Sequence, residues 1–412
     1  MTDIRADCAI VGGGIAGLWL LNVLQARGLQ TVLVERAALG AGQTLAAQGV
    51  IHGGIKYHLS GSTNAAPATI AGMPARWRKH LAGAAAPALD DTSLLSKHFY
   101  LWSNAALSGR LGSFLASRAL SGSVERLPRA RRPEVFRDPA FGGDVYQLSD
   151  FVMDSAALLE QLAAGWSDRV FLGDARAIVS TAPTRHRLHV DIGGASLSRA
   201  SLSRASLSQA SLSIACSCVL LCAGEGNARF APATAGPPTM QLRPLHQVFV
   251  TAAALPPLFG HCVTGLPAAG DPEPRLTVTS HTWGDRRVWA VGGALASTGI
   301  DCSPVAQVAR ARAELNACLP WLHLDDAHFA TLRIDRAEAA GTRRNGAFIS
   351  NAAGVLHCWP TKLTLAPDLA DQVVAALDGL GVRPAADVNL NALASLPRPQ
   401  VGAPPWAAAA WT

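Results

Sequence analysis

The chain has 412 residues, 49% of them hydrophobic and only 16% charged, with a mean hydropathy of +0.21. At about 100–200 residues per domain this length allows one to three domains, and the apolar share excludes disorder as the overall state. The net charge of +6 is almost wholly arginine, the lysines being Lys56, Lys79, Lys97 and Lys362; so mild a surplus fits anionic small molecules better than a nucleic-acid partner.

Cys8–Val11 reads as a short buried parallel strand, an apolar run without alternation. Gly12-Gly13-Gly14-Ile15-Ala16-Gly17 follows and satisfies GxGxxG at 12, 14 and 17. Ile15–Arg27 then carries helical apolar spacing, Gly28 sits where a C-cap glycine belongs, and a second strand, Thr31–Val34, ends in Glu35. Gly12 permits a tight strand-to-helix turn, Gly14 lets the backbone approach a pyrophosphate, and Gly17 lets helix and strand pack closely. A pyrophosphate there lies on a helix N-terminus, where N–H groups and the dipole favour an anion. Glu35, 18 residues beyond Gly17, is placed to accept hydrogen bonds from ribose hydroxyls. Strand, loop, helix and acid together predict a dinucleotide site. A nicotinamide domain would return quickly to another strand–helix repeat. The small-residue stretch Arg36–Gly54 suggests instead close contact with the far half of a larger cofactor, FAD.

These residues, with Gln48-Gly-Val-Ile-His-Gly-Gly-Ile-Lys-Tyr57, resemble the opening of the FAD-dependent D-amino-acid oxidase superfamily. The string from Gly49 to Tyr57 is most similar to the L-2-hydroxyglutarate dehydrogenase branch, whose Asn-Ser before the glycine is Ala47-Gln48 here. The resemblance implies an α/β (α+β) fold in which a Rossmann-like FAD-binding domain is interleaved with an antiparallel-sheet substrate domain. It implies FAD contacts from Gly12, Gly14, Ile15, Ala16, Gly17, Glu35, Arg36, Thr44, Ala47, Gln48 and Gly49. Later contacts are expected from Ala175, Ala223, Gly224, Thr361, Lys362, Leu363 and Thr364.

Further along, Met153–Ala164 has helical spacing with Asp154 as N-cap, and Val170–Ser180 and Arg187–Ile192 look like strands. Four near-identical copies of a five-residue unit begin at Ala195, Ala200, Ala205 and Ala210. Five is neither the strand nor the helix period, and the repeat, residues 195–214, is read as a mobile, dispensable hairpin-loop extension. Cys216–Gly224 is a buried strand that resembles the superfamily's second contact with FAD. Gln241–Val250, Arg275–Ser280 and Arg287–Gly292 alternate like antiparallel strands. Within the first of these, Arg243-Pro-Leu-His-Gln247 sits where the superfamily has a Pro-x-Arg-Gly-Gln/Glu-like segment. Gly354–Ala370 runs from strand to helix; the resemblance turns Thr361–Thr364 toward the flavin pyrimidine ring, with Lys362 as the candidate cation. Leu396–Thr412, rich in proline and alanine, reads as a frayed tail whose Trp406 and Trp411 offer at most a weak membrane or partner contact.

The layout assigns residues 1–80, 150–236 and 331–395 to the FAD domain, 81–149 and 237–330 to the substrate domain, and 396–412 to the tail. Eight cysteines without a CxxC pair or metal-ligand spacing predict core thiols at Cys216, Cys218 and Cys222, no metal site, and a reducing, cytoplasmic setting. No secretory signal or apolar span of about 20 residues is seen.

The expected chemistry is oxidation at a carbon bearing a hydroxyl or amine, with hydride transfer to flavin N5. Arg243 and Arg336 are candidates to clamp a substrate carboxylate. His52 is the leading candidate base, followed by His246 and Lys56, and Tyr57 could hydrogen-bond substrate. The first reading is a 2-hydroxy acid, 2-hydroxyglutarate-like, as substrate, with oxygen or a quinone reoxidising the flavin. The alternatives are an amine oxidase of glycine, sarcosine or D-amino-acid type, or a flavin-binding subunit of a larger complex.

Overall fold

A computed structural model describes residues 2–54, 68–103, 124–192, 210–233, 240–263, 273–341, 346–360, 362–385 and 387–412. The first strand is longer than its apolar core suggests, Thr2–Val11, and is followed by a helix over Ile15–Ala26 and a strand over Thr31–Glu35. Thr2–Val11 lies parallel to Ala210–Leu221 on one side and to Thr31–Glu35 on the other. Val170–Leu172 and Val355–Trp359 extend this parallel layer at its two ends. Cys8 and Ile10 bury one face under the helices, while Ala9 and Val11 bury the other, which is why the strand reads as an uninterrupted apolar run. Gly28 takes φ +81° just past the first helix, as a left-handed terminator should. Asp154 caps the helix Ser155–Ala164 by accepting from the Ala156 and Ala157 N–H groups.

The second large sheet has eight strands, in the order 328–339, 240–251, 286–292, 276–283, 260–263, 99–103, 145–148 and 124–126. Its pairings are antiparallel except Gly260–Val263 with Phe99–Ser103, which run parallel. Residues alternate between its faces. Val248, Val250, Cys262, Val278, Trp289 and Val291 pack beneath the helix Pro304–Cys318. Phe249, Val288, Ala290 and Ala330 point the other way. The substrate sheet also reaches beyond the expected boundary at 330. His328–Ala339 pairs along its whole length with Met240–Thr251, so residues up to Ala339 belong to this sheet.

Two expectations are corrected. The tail is docked rather than frayed. Leu39 and Val401 form a β-bridge, Thr412 and Phe329 exchange backbone hydrogen bonds of 2.8 and 3.2 Å, and Trp406 is buried against Phe249 and His281. Trp406 is a packing residue, buried because the apolar face of the second sheet needs a cover, and the half-buried Trp411 stacks on Trp283 beside it. The fourth copy of the repeat is not loop. Ala210–Ile214 opens a strand whose Leu212 and Ile214 enter the core, and Ala210 stands opposite Ile192 in an antiparallel pair. Alternate side chains of Ala-Ser-Leu-Ser-Ile suit a half-buried strand once a neighbour is present to pair with it. The other copies lie outside the described residues. Among the described residues no helix is long and apolar enough to cross a membrane.

Candidate functional site: a dinucleotide cradle facing a polar sheet

At the first strand-to-helix turn, close approach forces the glycines. A Cβ on Gly17 would lie 1.9 Å from the Gly12 carbonyl oxygen. Gly12, at φ +107°, would put a Cβ 2.6 Å from the Cys222 oxygen and 2.7 Å from Ala223 Cα. The loop is therefore wedged against the turn that ends Ala210–Leu221, which brings Ala223 and Gly224 to the same place. Asn227, unremarked in the sequence and fully buried, pins that turn by accepting from Ala223 N–H and donating to the Leu221 carbonyl. Helix Ile15–Ala26 has no acidic residue in its first turn and no cap from its own N-cap side chain, so nothing anionic of its own competes with a phosphate. Thr44, also buried, accepts from the Ile15 N–H at 3.1 Å and sits 3.0 Å from where a Gly14 Cβ would be. Glu35 is turned back to the loop, accepting from Gly13 N–H at 2.6 Å and Ala37 N–H at 2.8 Å. Gly173 N–H donates to the Glu35 carbonyl, and Ala175, two residues on, is core. Arg36 is exposed and Ala16 is buried. This Cβ-free cradle, with no acidic residue in the first turn of its helix and a carboxylate at the adjacent strand end, fits a dinucleotide.

From Thr44 the chain leads to the second half of the site. Ala47 N–H donates to the Thr44 carbonyl, and Gly49, at φ +72°, lies so close to Met153 that a Cβ would meet its carbonyl oxygen at 2.0 Å. Gln48 differs from expectation. Its Nε2 donates to the carbonyls of Thr277 and Ala290, and its oxygen fills the space left by the missing side chain of Gly292. Its side chain thus ties the segment after the glycine-rich loop to the second sheet.

His52 is half-buried, and its backbone N–H donates to Thr364 Oγ1 at 3.2 Å. Thr364 is completely buried and accepts from Trp77 Nε1 through its carbonyl. The 48–52 segment and the turn at Leu363–Leu365 are therefore in contact, although more than 300 residues separate them in the chain. Leu363 is core, and Lys362 is the half-buried N-cap of that turn. Thr361, Lys56 and Tyr57 lie outside the described residues.

Behind the His52 ring stands Asp150, which the sequence reading missed. It is 1% exposed, accepts from the Gly53 N–H at 2.7 Å through one oxygen, and places the other 3.7 Å from His52 Nδ1. A Cβ on Gly53 would lie 2.9 Å from Asp150, so the glycine admits the carboxylate. The His52 ring lies parallel to His261, with centroids 6.2 Å apart. His261 is buried, meets Thr277 Oγ1 at 2.8 Å and takes the edge of Phe99. An acid in the turn between two short strands carries no pattern of its own; only the pairing of 50–51 with 151–153 sets it beside His52.

The remaining candidates are separated by strand alternation. Arg243 and Arg336 stand directly opposite one another, on the face shared with Phe249, three and four strands across the sheet from His261. Arg243 is already ion-paired with Glu338, so its guanidinium is engaged by the protein's own carboxylate. His246, an odd number of residues from Arg243, faces the opposite side. It is 1% exposed, its Nδ1 meets the Gly299 carbonyl at 3.0 Å, and its own carbonyl accepts from Gln307. That side is the core beneath the helix Pro304–Cys318, which corrects its grouping with the site. The period-two rule would have given this directly.

The DAO family model, FAD dependent oxidoreductase, matches residues 7–373. The chain is similar to the FAD-dependent oxidoreductase PA4991 of Pseudomonas aeruginosa, at 42% identity over 409 residues and 98% of each chain. The crystal structure of that protein matches over 99% of both chains with a TM-score of 0.79 and 36% identity. Glycine oxidase from Geobacillus kaustophilus shares the fold at a TM-score of 0.58 and 17% identity, over 91% of this chain and 95% of that one. So does FAD-bound L-α-glycerophosphate oxidase from Mycoplasma pneumoniae, at 0.59 and 14% over the same shares. A glycine cradle wedged against a second backbone turn, an acid at the strand end and a match spanning most of the chain lead to one conclusion: the chain belongs to the DAO family of FAD-dependent oxidoreductases.

Proposed function

We propose that this oxidoreductase acts on a small 2-hydroxy acid and that His52 is the base for the hydroxyl proton. The observation that carries the reading is the buried Asp150 carboxylate behind His52 Nδ1. A buried carboxylate 3.7 Å from one ring nitrogen places negative charge on that side of the imidazole and leaves the other nitrogen to take the substrate's proton. That arrangement suits an alcohol more than an amine. A hydroxyl holds its proton far above neutral pH and must give it to a base as the C–H bond breaks, whereas an ammonium substrate can lose its proton to water before hydride transfer begins. Bound FAD supplies the two-electron acceptor of the oxidation. Thr364 fixes the His52 backbone, and His261 with Phe99 limits the ring's movement on the sheet side. The resemblance of residues 49–57 to the L-2-hydroxyglutarate dehydrogenase branch supports the same substrate class, with oxygen or a quinone as final acceptor.

The test is an anaerobic absorbance titration of the purified flavoprotein with L-2-hydroxyglutarate, other 2-hydroxy acids and a panel of amino acids. Bleaching of the flavin by a hydroxy acid is expected, and a His52→Ala variant that keeps its FAD should bleach about 10²–10⁴ times more slowly. Bleaching by amino acids alone, or by hydroxy acids at an unchanged rate in the variant, removes the reading.

A further inference from the structure

The strand Gly260–Val263 carries His261 on the face toward His52 and Cys262 on the opposite face, in the core beneath the helix Pro304–Cys318. Cys318 is the last residue of that helix and lies in the same core. The two thiols hydrogen-bond to one another. The contacts around them close a ring. The Arg275 N–H donates to the Cys262 carbonyl at 3.0 Å, the Arg275 side chain is ion-paired with Glu314, and Glu314 stands one helical turn before Cys318. Strand and helix thus hold the two sulfurs together from both sides.

Cys262 and Cys318 are 1% and 6% exposed, whereas the side chains of Arg275 and Glu314 are 35% and 30% exposed, so the dithiol lies one side chain beneath the surface. Its two members differ. The hydrogen bond from Cys262 holds the Cys318 thiol below its ordinary value; burial opposes this and the Arg275 guanidinium assists it. Cys262 is raised by the same bond and by burial. An ionisable thiol beside a cation, with a protonated thiol already in contact, is the arrangement in which oxidation ends as a disulfide.

We propose that Cys262 and Cys318 form a redox modification site, closed to a disulfide by hydrogen peroxide, the two-electron oxidant produced wherever oxygen takes both electrons from a reduced flavin. The Cys318 thiolate attacks one peroxide oxygen, the O–O bond breaks, and a sulfenic acid forms as hydroxide leaves and is protonated to water. The Cys262 sulfur then attacks the sulfenic sulfur. The S–S bond forms, the S–O bond breaks, and the hydroxyl leaves with the Cys262 proton as a second water. Two electrons have passed from the thiols to the peroxide, and the end of the helix is locked to the strand that carries His261. The step is the same whichever substrate the flavin oxidises.

A second thiol pair supplies the control. Cys222 and Cys358 follow the paired residues Leu221 and His357 on neighbouring parallel strands, and their thiols also hydrogen-bond. They lie in the apolar core with the helix Ile15–Ala26, and Cys222 is pushed well above its ordinary value by that bond and by burial. Proximity alone would oxidise both pairs, whereas an ionisable thiol near the surface selects the first.

The flavoprotein is treated with excess hydrogen peroxide, quenched with catalase, unfolded with an alkylating agent present and digested, and the peptides are weighed before and after reduction. The expected product is a cross-linked Cys262–Cys318 peptide, two hydrogens lighter than its reduced parts and released by dithiothreitol, with Cys222 and Cys358 fully alkylated. The oxidised protein should melt about 2–5 °C higher, reversibly, because the cross-link restrains the unfolded chain. Arg275→Gln, which removes the cation, should form the disulfide about tenfold more slowly. Cys262 and Cys318 that stay alkylatable, a parent Cys318 oxidised to sulfinic acid without a cross-link, or equal cross-linking of Cys222 to Cys358 overturns the proposal.

Discussion

At the nucleotide end, backbone meets backbone: Gly12 against Cys222 and Ala223, Gly17 against the Gly12 carbonyl, Gly49 against Met153. At the end that faces the second sheet, side chains make the contacts: His52 with Asp150 and His261, His261 with Thr277, and Gln48 reaching two backbone carbonyls of the facing sheet. The first arrangement has no room to give, because main-chain atoms of paired strands cannot move alone. The second can be altered one group at a time, which is how one fold carries many substrates. Substitutions at the first end should therefore act through folding and cofactor retention, and those at the second through chemistry and affinity.

The sharpest way to break that contrast is Gly17→Ala set against Gly42→Ala. The added methyl at 17 meets a carbonyl oxygen at 1.9 Å, whereas one at 42 meets nothing within 4 Å. Gly17→Ala should cost more than about 3 kcal/mol and yield protein without FAD. Gly42→Ala, in the neighbouring stretch, should stay within about 0.5 kcal/mol of the parent and remain yellow. Thermal melts with flavin content read both. A yellow Gly17→Ala protein of normal stability would mean that the loop and helix can separate, and the contrast would fall.

The same contrast explains what could be read in advance. GxGxxG, Glu35 at the strand end, Gly28 and the Asp154 cap are local devices whose chemistry acts within a turn or two, so their positions in the chain are their positions in the fold. Asp150, Asn227 and His261 are single polar residues brought to the site by pairings far from their own sequence neighbours. Nothing around them marks them until those pairings are known. His246 and Arg243 were separable from the start by parity. The terminal segment misled for another reason: proline and alanine say little about docking, and the apolar face that holds Trp406 is assembled from strands between residues 240 and 339.

Trp406→Ala tests how far the side-chain-built region extends. The ring is 6% exposed, 5.7 Å from Phe249 edge-to-face and 4.5 Å from His281. Its removal should cost about 3–5 kcal/mol by opening a cavity over the sheet. FAD should be retained at temperatures where the variant is folded, because the cradle glycines are untouched. Urea unfolding followed by tryptophan fluorescence and flavin absorbance on one sample would show it. Loss of FAD well before loss of fold would join the tail to the nucleotide end instead.

The smallest expected effect lies under the same tryptophan. His281 is buried, with Nε2 meeting Thr279 Oγ1 at 3.0 Å, and burial lowers its pKa from 6.5 to about 4, with Asp154 opposing weakly. The unfolded chain therefore binds a proton between pH 6.5 and 4 that the folded chain refuses. Stability from this residue is complete above pH 6.5 and falls progressively to pH 4, by about 3 kcal/mol in total. His80, His186 and His357, all lowered chiefly by burial, act in the same direction, so the parent should lose stability over this window by more than His281 alone supplies. A His281→Gln variant should keep an amide for Thr279 and show a shallower slope. Urea midpoints at pH 7, 5.5 and 4.5 for the two proteins measure the difference. Parallel slopes would mean that the imidazole is hydrated in the folded state, and the tail would then have to be a looser cover than the packing of Trp406 makes it.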